Sequence, residues 1–233
     1  MKRLLEVIKE KGFCLIVSLP KNSSNLAKAA QRGGADALKV HINVEHQASK
    51  TKFGSFKEEE EDLKKIILAV SIPVGIMPGA ERVATEKEME EIAQLGFDFF
   101  DIYSHYAPLY LLKSPLGKMI ALHHTYNLKE VERLGSLGAE ALEASIIMPS
   151  GYGKRLNLND LAKYSVLVKT INIPVIVPTE REIHPLEVPQ LKEVGVKGIM
   201  IGAVVTGKKE DSIEKKTGEF KRVVDKISKM AHG

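Results

Sequence analysis

GADALKVHIN, residues Gly34 to Asn43, carries the pattern that decides the fold, because its layout returns three more times along the chain: GFDFFDIYSH (Gly96 to His105), GAEALEASII (Gly138 to Ile147) and GVKGIMIGAV (Gly195 to Val204). Each stretch opens on a glycine able to close a helix in the left-handed conformation, passes through a small or polar pair and becomes an apolar strand. Four further strand candidates lie between them: GFCLIVS (12 to 18), IPVGIM (72 to 77), KMIALHH (118 to 124) and IPVIVPTE (173 to 180). The total is eight. Segments of helical period separate the strands, and two of them begin with a capping pair, Ser55 with Glu58 and Thr85 with Glu88.

Strict alternation of strand and helix is the mark of a parallel sheet. Eight near-equal units without a dinucleotide glycine fingerprint point to a closed α/β architecture, a (βα)8 TIM barrel with a short N-terminal helix, rather than a doubly wound open sheet. Ile72-Pro73-Val74 and Ile173-Pro174-Val175 begin strands four apart, as two related half-barrels would. The 233 residues suit a single domain spanning 1 to 233, close to the roughly 250 residues typical of this architecture.

Composition excludes several functions. Hydrophobic residues make up 44% and charged residues 27%, and no apolar run is long enough to span a bilayer, so no membrane role is expected. The N-terminus MKRLLEVIKEKG reads as an acid-containing amphipathic helix rather than a signal peptide, which suggests a cytoplasmic protein. Net charge is +4, lysines and glutamates alternate along helices, and tryptophan is absent, so a nucleic-acid partner is not expected. The single cysteine, Cys14, lies in an apolar run and reads as core.

Alternation along the strands sorts their two faces. Counting four and six residues from each glycine gives Leu38 and Val40, Phe100 and Ile102, Leu142 and Ala144, Ile199 and Ile201, all suited to meet the surrounding helices. Counting five and seven gives the inward face. Lys39, Asp101, Glu143 and Met200 should form one interior layer, with His41, Tyr103, Ser145 and Gly202 above it towards the mouth. An unpaired interior charge is costly, so Lys39 must pair with Asp101 or Glu143, and the second carboxylate needs another donor or a proton. That arrangement fits either a salt-bridged plug or a site for proton transfer.

Further candidates lie at the carboxyl ends of the strands. Four of the seven histidines, His41, His105, His123 and His124, fall on or just beyond strands, with His123 and His124 expected on opposite faces. His41, Asp101, His105 and His123 form the set for an alternative, metal-dependent reading. No cofactor is otherwise expected. Ser150 and Gly151, in the turn SGYGK, together with Arg181 and the pair Gly202-Ala203, offer cations and free amides for a phosphate. The polar stretch EHQASKTKFGS (Glu45 to Ser55) reads either as a lid or as a plain surface loop.

ADALKVHIN, SGYG and IPVIVPTEREIHPLEVPQLKEVGVKGIMIGAVVTG resemble the ribulose-phosphate-binding barrel superfamily, above all its N-acetylmannosamine-6-phosphate epimerase family. The resemblance implies phosphate binding at GIMIGAVVTG (Gly198 to Gly207), which matches that family's GxxxxIGxAxT pattern at Ile201, Gly202 and Thr206. It also implies an acid at the end of the seventh strand, where the family position falls near Pro178 and Glu180 follows on the same face. The family's catalytic lysine has no counterpart in Gly75-IMPGAER. Its arginine corresponds to Lys39, and its fifth-strand aspartate to Leu122 or His123.

The function expected is an isomerase, an epimerase or a related lyase acting on a small phosphorylated sugar or sugar-like metabolite. Lys39, His41, Asp101, His123, Glu143 and Glu180 are its catalytic candidates. A noncatalytic phosphate-ligand barrel is a further alternative, and homodimer formation stays open. A Schiff-base aldolase is disfavoured, since the sixth and seventh strands contain no lysine.

Overall fold

A computed structural model describes residues 2 to 229; the extreme ends of the expected domain lie outside the described residues. Eight strands, β1 (Cys14–Ser18), β2 (Ala37–His41), β3 (Val74–Met77), β4 (Phe99–Tyr103), β5 (Gly117–Ala121), β6 (Ala141–Glu143), β7 (Val175–Pro178) and β8 (Gly198–Ile201), pair in parallel and close into a barrel. The expected architecture holds, with one departure. After β4 the chain makes two 3₁₀ turns, Ser104–Tyr106 and Leu109–Lys113, where an α-helix was expected. Among the described residues no helix is long and apolar enough to cross a membrane.

The repeated glycines behave as their positions require: Gly34, Gly96, Gly138 and Gly195 have φ between 94° and 104°, a region costly for any side chain. Both capping pairs form. The Glu58 carboxylate accepts the Ser55 backbone N–H at 2.7 Å, and that of Glu88 accepts the Thr85 N–H at 2.7 Å.

Outward strand residues such as Leu38, Val40, Phe100, Ile102, Leu142 and Ile199 are buried against the helices. Inside the barrel a second apolar cluster forms the base, with Cys14, Ile16, Ala37, Phe99, Met119, Ala141 and Ile176 stacked in layers. Leu4 and Ile8 of the N-terminal helix α1 (Lys2–Lys11) join that cluster and close the lower end. The helix is held there by Lys11, which pairs with the buried Asp36 carboxylate; Asp36 also accepts the Leu15 N–H at 2.9 Å.

Close packing explains two further glycines. A Cβ on Gly75 would lie 2.1 Å from the Phe99 ring, and one on Gly198 would lie 2.5 Å from Cys14 Sγ. Between β2 and the next helix, α2 (Phe56–Ala69), the polar stretch is not an unstructured loop. Val44–His46 and Thr51–Phe53 pair as an antiparallel hairpin across the barrel mouth.

Candidate active site

Directly above the apolar base, Lys39 projects inward from β2, Asp101 from β4 and Glu143 from β6, as the count from the glycines predicts. Lys39 Nζ lies 2.6 Å from Asp101 Oδ2 and 2.7 Å from Glu143 Oε2. Met200 completes the layer from β8 and is 2% exposed. One ammonium thus serves two carboxylates in a dry setting. Burial, reinforced by the facing Glu143, raises the Asp101 carboxyl well above its ordinary range. Burial pushes Glu143 the same way, but the Lys39 ammonium overrides it and holds that carboxyl low. For Lys39 the two carboxylates outweigh the cost of burial and keep it an ammonium. The two carboxyls thus titrate as a pair beside Lys39, with protonation favoured at Asp101 and ionisation at Glu143, and Asp101 Oδ1 is buried with no hydrogen-bond partner.

A chamber of about 240 Å³ opens above this floor towards the carboxyl ends of the strands. His41, Tyr103, Ser145 and Gly202 line it as the second layer, and the hairpin supplies Glu45 and His46 from above. His41 is fully buried, with Nε2 at 3.4 Å from Ser18 Oγ and Nδ1 unpartnered. Its ring lies 4.5 Å from that of His46 and 4.9 Å from that of Phe53, centroid to centroid, so the hairpin seats on it. Burial lowers the His41 pKa well below the usual range and takes that of His46 to about 4. Both imidazoles are neutral at pH 7.

Glu180 forms the opposite wall. It lies two residues past the end of β7 and turns inward, 6% exposed, accepting Ser145 Oγ–H and Tyr152 O–H at 2.6 Å each and the Ile147 N–H at 2.9 Å. Burial raises its pKa to about 6 against the pull of those three bonds. The Tyr103 hydroxyl, 3.1 Å from Ser145 Oγ, extends the network towards the floor, and burial holds the phenol up at about 12.

Lys39, His41, Asp101, Glu143, Glu180 and Gly202 are therefore brought to one chamber. The other candidates are not. Arg181 is committed elsewhere: its Nε is 2.8 Å from Oδ2 of the buried Asp160, and its NH1 donates to the Gly151 carbonyl at 2.9 Å. Gly151 is buried beneath that guanidinium and Ser150 is exposed outside the chamber. The Gly202 N–H is also occupied, donating to Thr179 Oγ1 at 2.9 Å. The next two amides, of Ala203 and Val204, open the short helix Ala203–Thr206 and have no partner within it.

His123 stands on the rim. β5 ends at Ala121, so alternation stops before the histidine pair, and the His123 and His124 rings pack 3.9 Å apart instead of facing opposite ways. His123 Nδ1 meets Thr125 Oγ1 at 2.9 Å, and its ring lies 5.2 Å from that of His105. His105 and His123 do not line the chamber that holds His41 and Asp101. Among the described residues no group of three His, Cys, Asp or Glu side chains is placed to hold a metal ion, and the four residues of the metal-dependent reading are split between chamber and rim.

Counting along strands missed His46 and Thr179. It treated Tyr152 as part of a backbone loop, although its hydroxyl is what reaches Glu180. All three arrive from segments outside the eight barrel strands.

Neither a protein-family model nor a curated protein matches the sequence. Solved structures do. Thiamine phosphate pyrophosphorylase from Pyrococcus furiosus superimposes with a TM-score of 0.64 at 18% identity, over 92% of this chain and 96% of that one. Tryptophan synthase from Mycobacterium tuberculosis gives 0.76 at 13%, over 96% and 98%. The tryptophan synthase complex from Pyrococcus furiosus gives 0.69 at 14%, over 90% and 98%. At these identities the likeness is one of fold.

Proposed function

We propose that this barrel binds a small phosphorylated sugar or sugar-like metabolite and moves a proton at a carbon next to its carbonyl, as an isomerase or epimerase. The observation that carries the reading is the floor of the chamber. Lys39 spends two of its three N–H donors on Asp101 and Glu143, leaving one for a ligand oxygen, and burial beside Glu143 favours the protonated form of Asp101.

In the step this supports, ionised Glu180 takes the proton from the carbon. The electron pair of the broken C–H bond moves to the carbonyl oxygen, where the remaining Lys39 N–H meets the developing negative charge. The Asp101–Glu143 pair returns a proton to the same carbon from the other face for an epimerase, or to the neighbouring carbon for an isomerase. The amides of Ala203 and Val204 would hold the phosphate at the rim. The resemblance to the epimerase family and the likeness to a barrel described as a thiamine phosphate pyrophosphorylase agree with a phosphorylated ligand. The chemistry assigned here rests on this chain's own residues, since the family's lysine position is empty.

The test is a thermal-shift screen against sugar phosphates, with wild type and Gly202→Asp compared. A Cβ at Gly202 meets nothing nearer than 3.6 Å, so the variant should fold while placing a carboxylate beside the rim amides. A sugar phosphate that stabilises wild type alone, and whose carbon-bound hydrogen exchanges in heavy water with catalytic enzyme, supports the proposal. Stabilisation by no phosphorylated compound would end it.

A further inference from the structure

The charges that line the chamber are unequal. Three carboxylates face it from the floor and wall, Asp101, Glu143 and Glu180, and Glu45 adds a fourth from the hairpin; Lys39 is the one cationic side chain among the described lining residues. Lys39 offsets Glu143, and burial favours the neutral form of Asp101. His41 and His46 contribute dipoles but no charge. Glu180 remains, buried in the wall with no cation facing it among the described residues, while Glu45 stands exposed at the mouth.

Hydrogen-bonding capacity leans the same way. Glu180, the histidine ring nitrogens and the tyrosine and serine oxygens can all accept, and no arginine reaches the chamber, because Arg181 is tied to Asp160 and Gly151. An anionic group at the floor would meet these carboxylates at close range in a poorly screened setting, with only one Lys39 N–H to receive it.

We infer that the inner end of the ligand is a donor-rich group without negative charge, hydroxyl- or amine-bearing, and that any anionic group it carries stays at the rim. This rests on the proposed function only in assigning the phosphate to the rim. It narrows the substrate class to polyols, aldoses, ketoses and amino sugars, and sets aside sugar acids and other ligands with a carboxylate opposite the phosphate. A ligand amine would take the place of the missing second cation beside Glu180, while a hydroxyl would donate to it.

The experiment uses three matched probes, glucosamine 6-phosphate, glucose 6-phosphate and 6-phosphogluconate, and their unphosphorylated forms, titrated calorimetrically into the full chain at pH 7.5. Glucosamine 6-phosphate and glucose 6-phosphate should bind at least tenfold more tightly than 6-phosphogluconate. In Glu180→Gln that gap should shrink severalfold, because the variant keeps an acceptor oxygen and removes the charge.

Tightest binding by 6-phosphogluconate would overturn the inference and leave the phosphate reading standing. Binding of glucosamine or glucose in preference to gluconate, with no gain from the phosphate, would do the reverse. An unchanged gap in Glu180→Gln, or binding by none of the six, would count against the inference. Circular dichroism and thermal melting of the variant separate loss of binding from loss of fold.

Discussion

Lys39 on β2 and Asp101 on β4 meet at 2.6 Å inside the barrel although a complete strand, β3, stands between them in the sheet. The contact is possible because interior layers draw on alternate strands, so that side chains two strands apart share one level of the barrel. Four predictions follow from this layer and its surroundings.

The two carboxyls of the floor should respond differently to neutralisation. Protonation is favoured at Asp101, so Asp101→Asn should leave stability within about 1 kcal/mol of wild type. Lys39→Met leaves the floor without its cation and should cost about 3 to 5 kcal/mol, whereas Glu143→Gln is partly offset when Asp101 gives up its proton to pair with Lys39 and should cost about 1 to 3 kcal/mol. Urea denaturation at pH 7 decides the point, and equal losses for Asp101→Asn and Glu143→Gln would remove the proton from Asp101.

Glu180 should leave its own mark on acid stability. Its folded pKa of about 6 lies above the ordinary 4.5, so between those values the folded chain binds more protons than the unfolded one. Stability from this group is therefore fully present below about pH 4.5 and falls as pH rises through 6, by about 2 kcal/mol. Glu180→Gln should flatten that slope when unfolding is measured from pH 4.5 to 7.5. Tyr152→Phe removes one donor to the ionised form and should move the midpoint upwards.

His41 and His46 act with the opposite sign. Their folded pKa values lie below 6.5, so the unfolded chain binds more protons across the interval, and stability rises with pH up to about 6.5 and is lost in acid. For His46, with a folded value of about 4, the loss amounts to about 3 kcal/mol. Proton NMR should place the His46 midpoint near 4, with faster amide exchange across Val44–His46 and Thr51–Phe53 as that proton binds. A midpoint of 6.5 would mean that the hairpin does not seat on the barrel.

Two glycine substitutions should separate sharply. Gly75→Ala drives a methyl group into the Phe99 ring and should cost about 1 to 3 kcal/mol, much of it recovered in Gly75→Ala with Phe99→Leu. Gly202→Ala has room, at ordinary φ, and should change stability by less than about 0.5 kcal/mol. Thermal melts of the three variants test both claims; a Gly75→Ala protein as stable as wild type would show that β3 can shift at that level.

Where sequence reading succeeded and failed follows from which contacts are local. The interior layer was legible because strand side chains alternate and the four repeated glycines give each strand the same origin; from that alone Lys39 falls beside Asp101 and Glu143. The count fails once a strand ends. His123 and His124 follow the last paired residue of β5, so their rings stack rather than diverge. Arg181 lies in the expected region, but its partner Asp160 is buried at the start of another helix, a contact no periodicity reports. His46 reaches the chamber only through the hairpin, whose pairing depends on where the barrel places its ends. Pairing of Lys39 was predicted from the cost of an isolated buried charge, yet which carboxyl favours the proton depends on how strongly each meets Lys39 and the other carboxyl, which no periodicity reports.

With Leu4 and Ile8 of α1 stopping the lower end and solid apolar layers beneath Lys39, the chamber is a cul-de-sac. Whatever arrives must depart through the same doorway, past His46. Exchange of one ligand for the next is then sequential by construction, and for the turnover proposed above the dwell time of the departing product would set the ceiling.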